Sequence, residues 1–169
     1  MIGLLLLATG LGLFAVWFQW GQTRRCLEFL GPVAAGRIQE APIVELWSLA
    51  PADGRLRGVD RVDISRAPGL VHLRRGLVED VNYRWPAAGS SGQGASEPRL
   101  PAAAWDVALA FRDDADASAA AILAFDLDGP GAMTLVGHAG RVELGRLGPG
   151  LRRWIETTKA GFSSGKSGY

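Results

Sequence analysis

The sequence predicts an α+β protein in which one N-terminal transmembrane helix is followed by a small domain, an antiparallel β-meander packed on a few helices. Three observations predict it. From Ile2 to Trp20 the chain carries no charged residue and then meets Arg24-Arg25. From Trp105 onward, short alternating runs recur between turns rich in Gly, Pro and Asp. After Gly148-Pro149, apolar residues return at helical spacing.

The uncharged run comes first. About 20 apolar residues at 1.5 Å rise each match the roughly 30 Å hydrocarbon core of a bilayer. Leu4 to Leu7, Phe14, Val16 and Phe18 supply bulk, and Trp17 and Trp20 stand at the end, where amphipathic rings favour the headgroup layer. A secretory signal would have a basic start, a shorter apolar run and an A-x-A-like site. None of these occurs, so a retained anchor is expected over residues 1–22. Arg24 and Arg25 follow it, which predicts the N-terminus outside and the domain in the cytoplasm of a bacterial inner membrane, single-pass. Ala8 and Gly12 lie four apart, a small-xxx-small pair that lets another helix approach.

The expected domain covers 23–160. Thr23 to Leu30 is a short helix, Gly31-Pro32 breaks it, and Val33 to Glu40 resumes. Ile43 to Leu49 and Gly58 to Ile64 make a hairpin around the turn Pro51–Gly54. Ser65 to Val81 is expected to be helical, because Leu70, Leu73, Leu77 and Val81 recur at helical spacing. Pro86 to Pro101 is small and polar, a flexible loop. Trp105, Val107, Leu109 and Phe111 alternate with Asp106, Ala108 and Ala110, a strand with one buried face. Ala119–Asp126, Met133–Val136 and Val142–Leu144 complete four strands. Gly148-Pro149 opens a helix with Leu151, Trp154, Ile155 and Thr158 on one stripe and Arg152, Arg153, Glu156 and Lys159 facing water. Residues 161–169 form a polar tail.

Composition narrows the chemistry. Lys+Arg number 18 against 17 Asp+Glu, so no basic excess supports nucleic-acid binding. High Gly and Ala, with Arg well above Lys, matches a GC-rich bacterial coding bias. A single cysteine excludes an internal disulfide. Cys26, His72 and His138 are too scattered for a zinc site. Asp113, Asp114 and Asp116 lack the order of an EF-hand loop, and Asp126 and Asp128 bracket a turn. No G-x-S-x-G elbow and no phosphate-binding glycine loop occurs. Catalytic, cofactor and metal residues are therefore expected to be absent, and no small-molecule substrate is inferred.

What remains is contact. Trp47, Tyr83 and Trp85 flank loops and, with Ala8, Gly12, Trp17, Trp20, Arg24 and Arg25, are the expected partner-contact residues. The expected function is a non-catalytic accessory subunit of a membrane protein complex, its partners other membrane subunits and the lipid bilayer. The layout of one N-terminal helix, outside N-terminus and cytoplasmic domain is similar to that of the H subunit of purple-bacterial photosynthetic reaction centres. The likeness implies a stabilising role in a bioenergetic assembly, photosynthetic or respiratory. The alternative is a free-standing membrane-tethered sensor or ligand-binding module. An enzyme using His72 or His138 with an aspartate is a third.

Overall fold

A computed structural model describes residues 2–52, 55–85, 105–114, 118–138 and 140–165 of the chain. Helix α1 spans Ile2–Glu40, strand β1 Ile43–Ala52 and β2 Arg55–Asp63. Helix α2 is Leu70–Leu77, a 3-10 turn covers Asp80–Asn82, and β3 is Tyr83–Arg84. Strands β4 (Val107–Arg112), β5 (Ala121–Asp126), β6 (Ala132–Leu135) and β7 (Val142–Leu144) lead to helix α3, Leu147–Gly165. All seven strands form one antiparallel sheet in the order β2-β1-β4-β5-β6-β7-β3.

Alternation sets the faces of that sheet. Val44 and Leu46 of β1, Val107, Leu109 and Phe111 of β4, Leu123 and Phe125 of β5 and Met133 of β6 point one way and are buried. Against them lie Cys26, Leu30, Ala34 and Ile38 of α1, four apart along one helical face, with Leu70, Leu73 and Leu77 of α2 and Leu151 and Ile155 of α3. The Leu151–Ile155 stripe is thus the one the sequence marks, with Trp154 packed at its border.

Several expectations are corrected. Among the described residues, no helix is long and apolar enough to cross a membrane. The anchor over 1–22, the N-out orientation, the cytoplasmic placement of the domain and the single-pass inner-membrane location fall with that finding. The physical reason is that lack of charge differs from abundance of apolar surface. Thr9, Gly10 and Gly12 interrupt the leucine-rich stretch, and glycine contributes almost no side-chain area to transfer into hydrocarbon. Nor does the helix end where an anchor would, because α1 continues through Arg24 and Arg25 to Glu40.

The expected break at Gly31-Pro32 is present as a kink. Gly31 takes φ 76° and ψ 153°, outside helical values and accessible to a residue without Cβ. Pro32 offers no N–H and would clash with the preceding turn of a straight helix. The helix expected over Ser65–Val81 is shorter. Asp63 accepts both the N–H and the hydroxyl of Ser65, and Gly69 sits at φ 84°, so α2 starts only at Leu70. Its end comes at Leu77, and Val81 lies exposed in the 3-10 turn.

Tyr83–Arg84, expected to lead into a loop, is an edge strand paired with β7. Strand β4 is buried on both faces, since Ala108 and Ala110 on the second face are covered as fully as Leu109. That face carries a smaller cluster of Trp105, Ala108 and Ala124, with Trp47, Leu49 and Ile122 packed on it. The expected polar tail begins inside α3, which continues to Gly165. The Pro86–Pro101 loop lies outside the described residues.

Candidate interaction site

The packed half of α1 begins at Cys26, and Asp80 of the domain is the centre of the contact made there. The Asp80 carboxylate accepts the backbone N–H of Arg25 at 2.9 Å on Oδ2 and that of Cys26 at 2.7 Å on Oδ1. The 3-10 turn that carries Asp80 is fixed in turn, because the Trp85 indole N–H donates to the Asp80 carbonyl at 2.9 Å. Trp85 stands edge-on to Tyr83, with ring centroids 5.6 Å apart, and to Phe29 of α1 at 6.1 Å. Phe29 also meets the His138 ring at 5.2 Å. Phe29 thereby ties α1 to Trp85, just after β3, and to His138 of the β6–β7 turn, and an edge-to-face aromatic pair adds about 0.5–1.5 kcal/mol beyond its buried area.

Cys26 is buried beside this carboxylate. Burial first, then the hydrogen bond to Asp80 and the charges of Asp80 and Glu79, hold its pKa far above the ordinary thiol value. A protonated, enclosed thiol is inert as a nucleophile or metal ligand. Burial likewise pushes Tyr83 well above the ordinary phenol value, with Cys26 adding to it. The Tyr83 hydroxyl donates to the Leu77 carbonyl at 2.9 Å, at the end of α2.

At the other end of α1, Arg74 of α2 donates to the carbonyls of Gln39 at 2.9 Å and Ala41 at 2.5 Å. A cation at a helix C-terminus satisfies orphan carbonyls and complements the helix dipole. Burial lowers the Arg74 pKa below its ordinary value. The packed half of α1 is therefore tied at both ends by side chains of the domain.

The expected contact residues are distributed unevenly. Arg24 is exposed and pairs with Glu28 at 2.9 Å, one helical turn on. Arg25 is exposed and gives only its backbone to Asp80. Gly12 is exposed, with nothing beyond its own helix's local backbone and chain neighbours within 4 Å of where a Cβ would stand. Tyr83 is core, and Trp85 is partly buried against it. Trp47, partly buried on the second sheet face, donates to Glu45 at 2.8 Å and lies under the Arg61 guanidinium at 4.4 Å. The side chains of Ala8, Trp17 and Trp20 lie outside the described ones. Asp80, Phe29 and Arg74 were not marked in the sequence. No local pattern singles out Asp80, whose partners are main-chain amides of α1 far away along the chain.

Other polar groups are engaged in local structure. Asp113 pairs with Arg37 of α1, and Asp116 lies outside the described residues. His72 is exposed on α2, while His138 accepts the Gly140 N–H on Nδ1 at 3.2 Å. Among the described residues, the group with carboxylate oxygens near enough for a cation is Asp106, Asp126 and Asp128. Two of those carboxylates already hold the β5–β6 turn: Asp106 accepts the Leu127 N–H at 2.8 Å and Asp126 the Asp128 N–H at 2.9 Å. Asp126 and Asp128 border an open cleft of about 430 Å³ whose other walls include Arg84, Trp85 and Arg141. Arg84 is drawn to Glu143 on its floor at 2.8 Å.

No family model, no curated protein and no solved structure matches the chain. The likeness to the reaction-centre H subunit rested on an anchor and orientation that the structure does not support, and it falls with them.

Proposed function

We propose that the chain is a non-catalytic subunit of a multi-protein assembly, joined to its partners through the N-terminal segment of α1, with the domain as the body that positions that segment. One observation carries the reading. Helix α1 is packed on its own domain from Cys26 onward, yet Ile2–Trp20, which precedes that contact, is a helix without a single charge. At Gly10, Gly12 and Gly21 no atom other than the helix's own local backbone and chain neighbours lies within 4 Å of a Cβ position. A helix lacking a polar charged face is one that another surface buries. Close approach of a second helix is easiest where glycines leave the backbone open.

The test uses the full chain from its native source, sized and then identified together with what co-migrates. The subunit reading expects a defined particle with partners in fixed ratio. Gly12→Arg places a charge in the uncharged segment where there is room for it, so the partners should be lost while the thermal unfolding of the domain is unchanged. A wild-type chain that migrates as a monomer overturns the reading, as does a Gly12→Arg chain that stays in the particle. A binding-module reading is favoured by the cleft lined by Arg84, Trp85 and Arg141. It predicts the monomer, and sizing separates the two.

A further inference from the structure

We infer that Asp80 is the N-terminal cap of the packed half of α1, supplied from outside the helix, so that residues 21–24 form a joint and the segment before them can change direction without unfolding the domain. The inference concerns how segment and domain are coupled, and it stands whether or not the segment binds a partner.

In a continuous α-helix the N–H groups of Arg25 and Cys26 belong to the carbonyls of Gly21 and Gln22. Here the helix keeps its φ/ψ through these residues, its one non-helical residue being Gly31, and both N–H groups are in addition within hydrogen-bonding distance of one carboxylate, at 2.9 and 2.7 Å. Two adjacent N–H groups on an anion is the arrangement that a helix start requires, where the first N–H groups have no carbonyl behind them and the dipole favours negative charge. The cap makes the preceding turn dispensable.

Burial changes at the same place. Gly21, Gln22, Arg24 and Arg25 are exposed, whereas Cys26 is 1% exposed and begins the buried series Cys26, Leu30, Ala34 and Ile38. Gly21 adds backbone freedom at the joint, since glycine disfavours helix by about 1 kcal/mol relative to alanine. The cap itself does not move with the segment. Asp80 sits in the 3-10 turn held by Trp85, and Trp85 is held by Tyr83 and Phe29. Upstream distortion therefore ends at Thr23–Arg24 and is not passed to the core.

The experiment is residue-level amide hydrogen exchange on the full chain. Arg24→Pro removes one N–H and would clash inside a continuous helix, but proline is well tolerated at the first position of a capped one. With Asp80 as cap, Arg24→Pro leaves the Arg25 and Cys26 amides within about threefold of their wild-type exchange rates. Asp80→Ala alone is mild as well, because the Gly21 and Gln22 carbonyls can still accept. The two together strip both acceptors and raise exchange at those amides about tenfold or more. Asp80→Asn, which keeps one acceptor oxygen and the side-chain shape, gives the same ordering in smaller steps if Asp80→Ala fails to fold. The inference is overturned if Arg24→Pro alone accelerates these amides as much as the double variant does. It is equally overturned if adding either Asp80 substitution to Arg24→Pro changes nothing.

Discussion

Replacing Cys26 by alanine should flatten the alkaline loss of stability. The thiol is 1% exposed, and burial, Asp80 and Glu79 together keep it protonated in the native state well past the pH at which a free thiol ionises. The unfolded chain has no such constraint and titrates near 8.5. Above that pH the unfolded state binds fewer protons than the native one, so stability falls as pH rises; below it the stabilisation is fully present. Each pH unit past the unfolded value costs about 1.4 kcal/mol, and the loss through this one thiol between pH 8 and pH 10 comes to about 1.9 kcal/mol. Cys26→Ala removes that slope and adds a pH-independent packing cost of about 1 kcal/mol. The rise of Tyr83 comes chiefly from its own burial, which both chains share, so that part cancels. The assay is urea unfolding of wild type and variant at pH 8 and pH 10, at one ionic strength. Equal losses in the two chains would mean that the native thiol ionises freely, and the account of the Cys26–Asp80 contact would be wrong.

Three further substitutions probe other parts of the structure. Leu123→Ala, at a residue 0% exposed in the middle of the sheet, should cost about 2–5 kcal/mol in chemical denaturation, and a loss below about 1 kcal/mol would contradict its place in the core. Arg74→Met keeps the aliphatic stem but releases the Gln39 and Ala41 carbonyls, with an expected loss of about 2 kcal/mol; an unchanged urea midpoint would show that the α1 terminus needs no cap. Glu28→Gln breaks an exposed pair one turn apart and should cost less than about 0.5 kcal/mol, a difference that disappears in about 1 M salt.

The parts of the fold that were legible in the sequence are those in which one local rule sufficed. Strands β4 to β7 alternate or run apolar between Asp-, Gly- and Pro-containing turns, and the structure places strands there. The Leu151–Ile155 stripe and the Gly31-Pro32 break are equally local. Tyr83–Arg84 was not legible, because two residues carry no period and their strand exists only through β7. The second buried face of β4 was hidden by alanine, which alternates as readily with apolar as with polar neighbours. Ser65 and Pro68 suit a helix start, but Ser65 is held by Asp63 and the left-handed Gly69 sets the start at Leu70, while the period running to Val81 hides the end at Leu77. The uncharged N-terminal run was the most misleading signal, since it counts missing charges and not buried area. Tyr83 and Trp85, expected to meet a partner, are engaged within the chain: Tyr83 is core, its hydroxyl on the Leu77 carbonyl, and Trp85 bonds the Asp80 carbonyl and meets Phe29 of α1. Asp80 escaped notice because its partners are main-chain amides more than fifty positions away.

The strand order also has a consequence for how the chain reaches this structure. The β1–β2 hairpin and the β4–β7 run each pair neighbours in sequence, but they join through β1 and β4, whose paired residues Ile43 and Arg112 are far apart along the chain. Such distant pairing is entropically slow to establish. During synthesis β1 emerges long before β4, so for that interval the edge it later gives to β4 is bare and its apolar residues Val44 and Leu46 lack a neighbour. An unpaired strand edge of that kind is exposed to aggregation. Closure of β4 onto β1 turns two local pieces into one cooperative sheet.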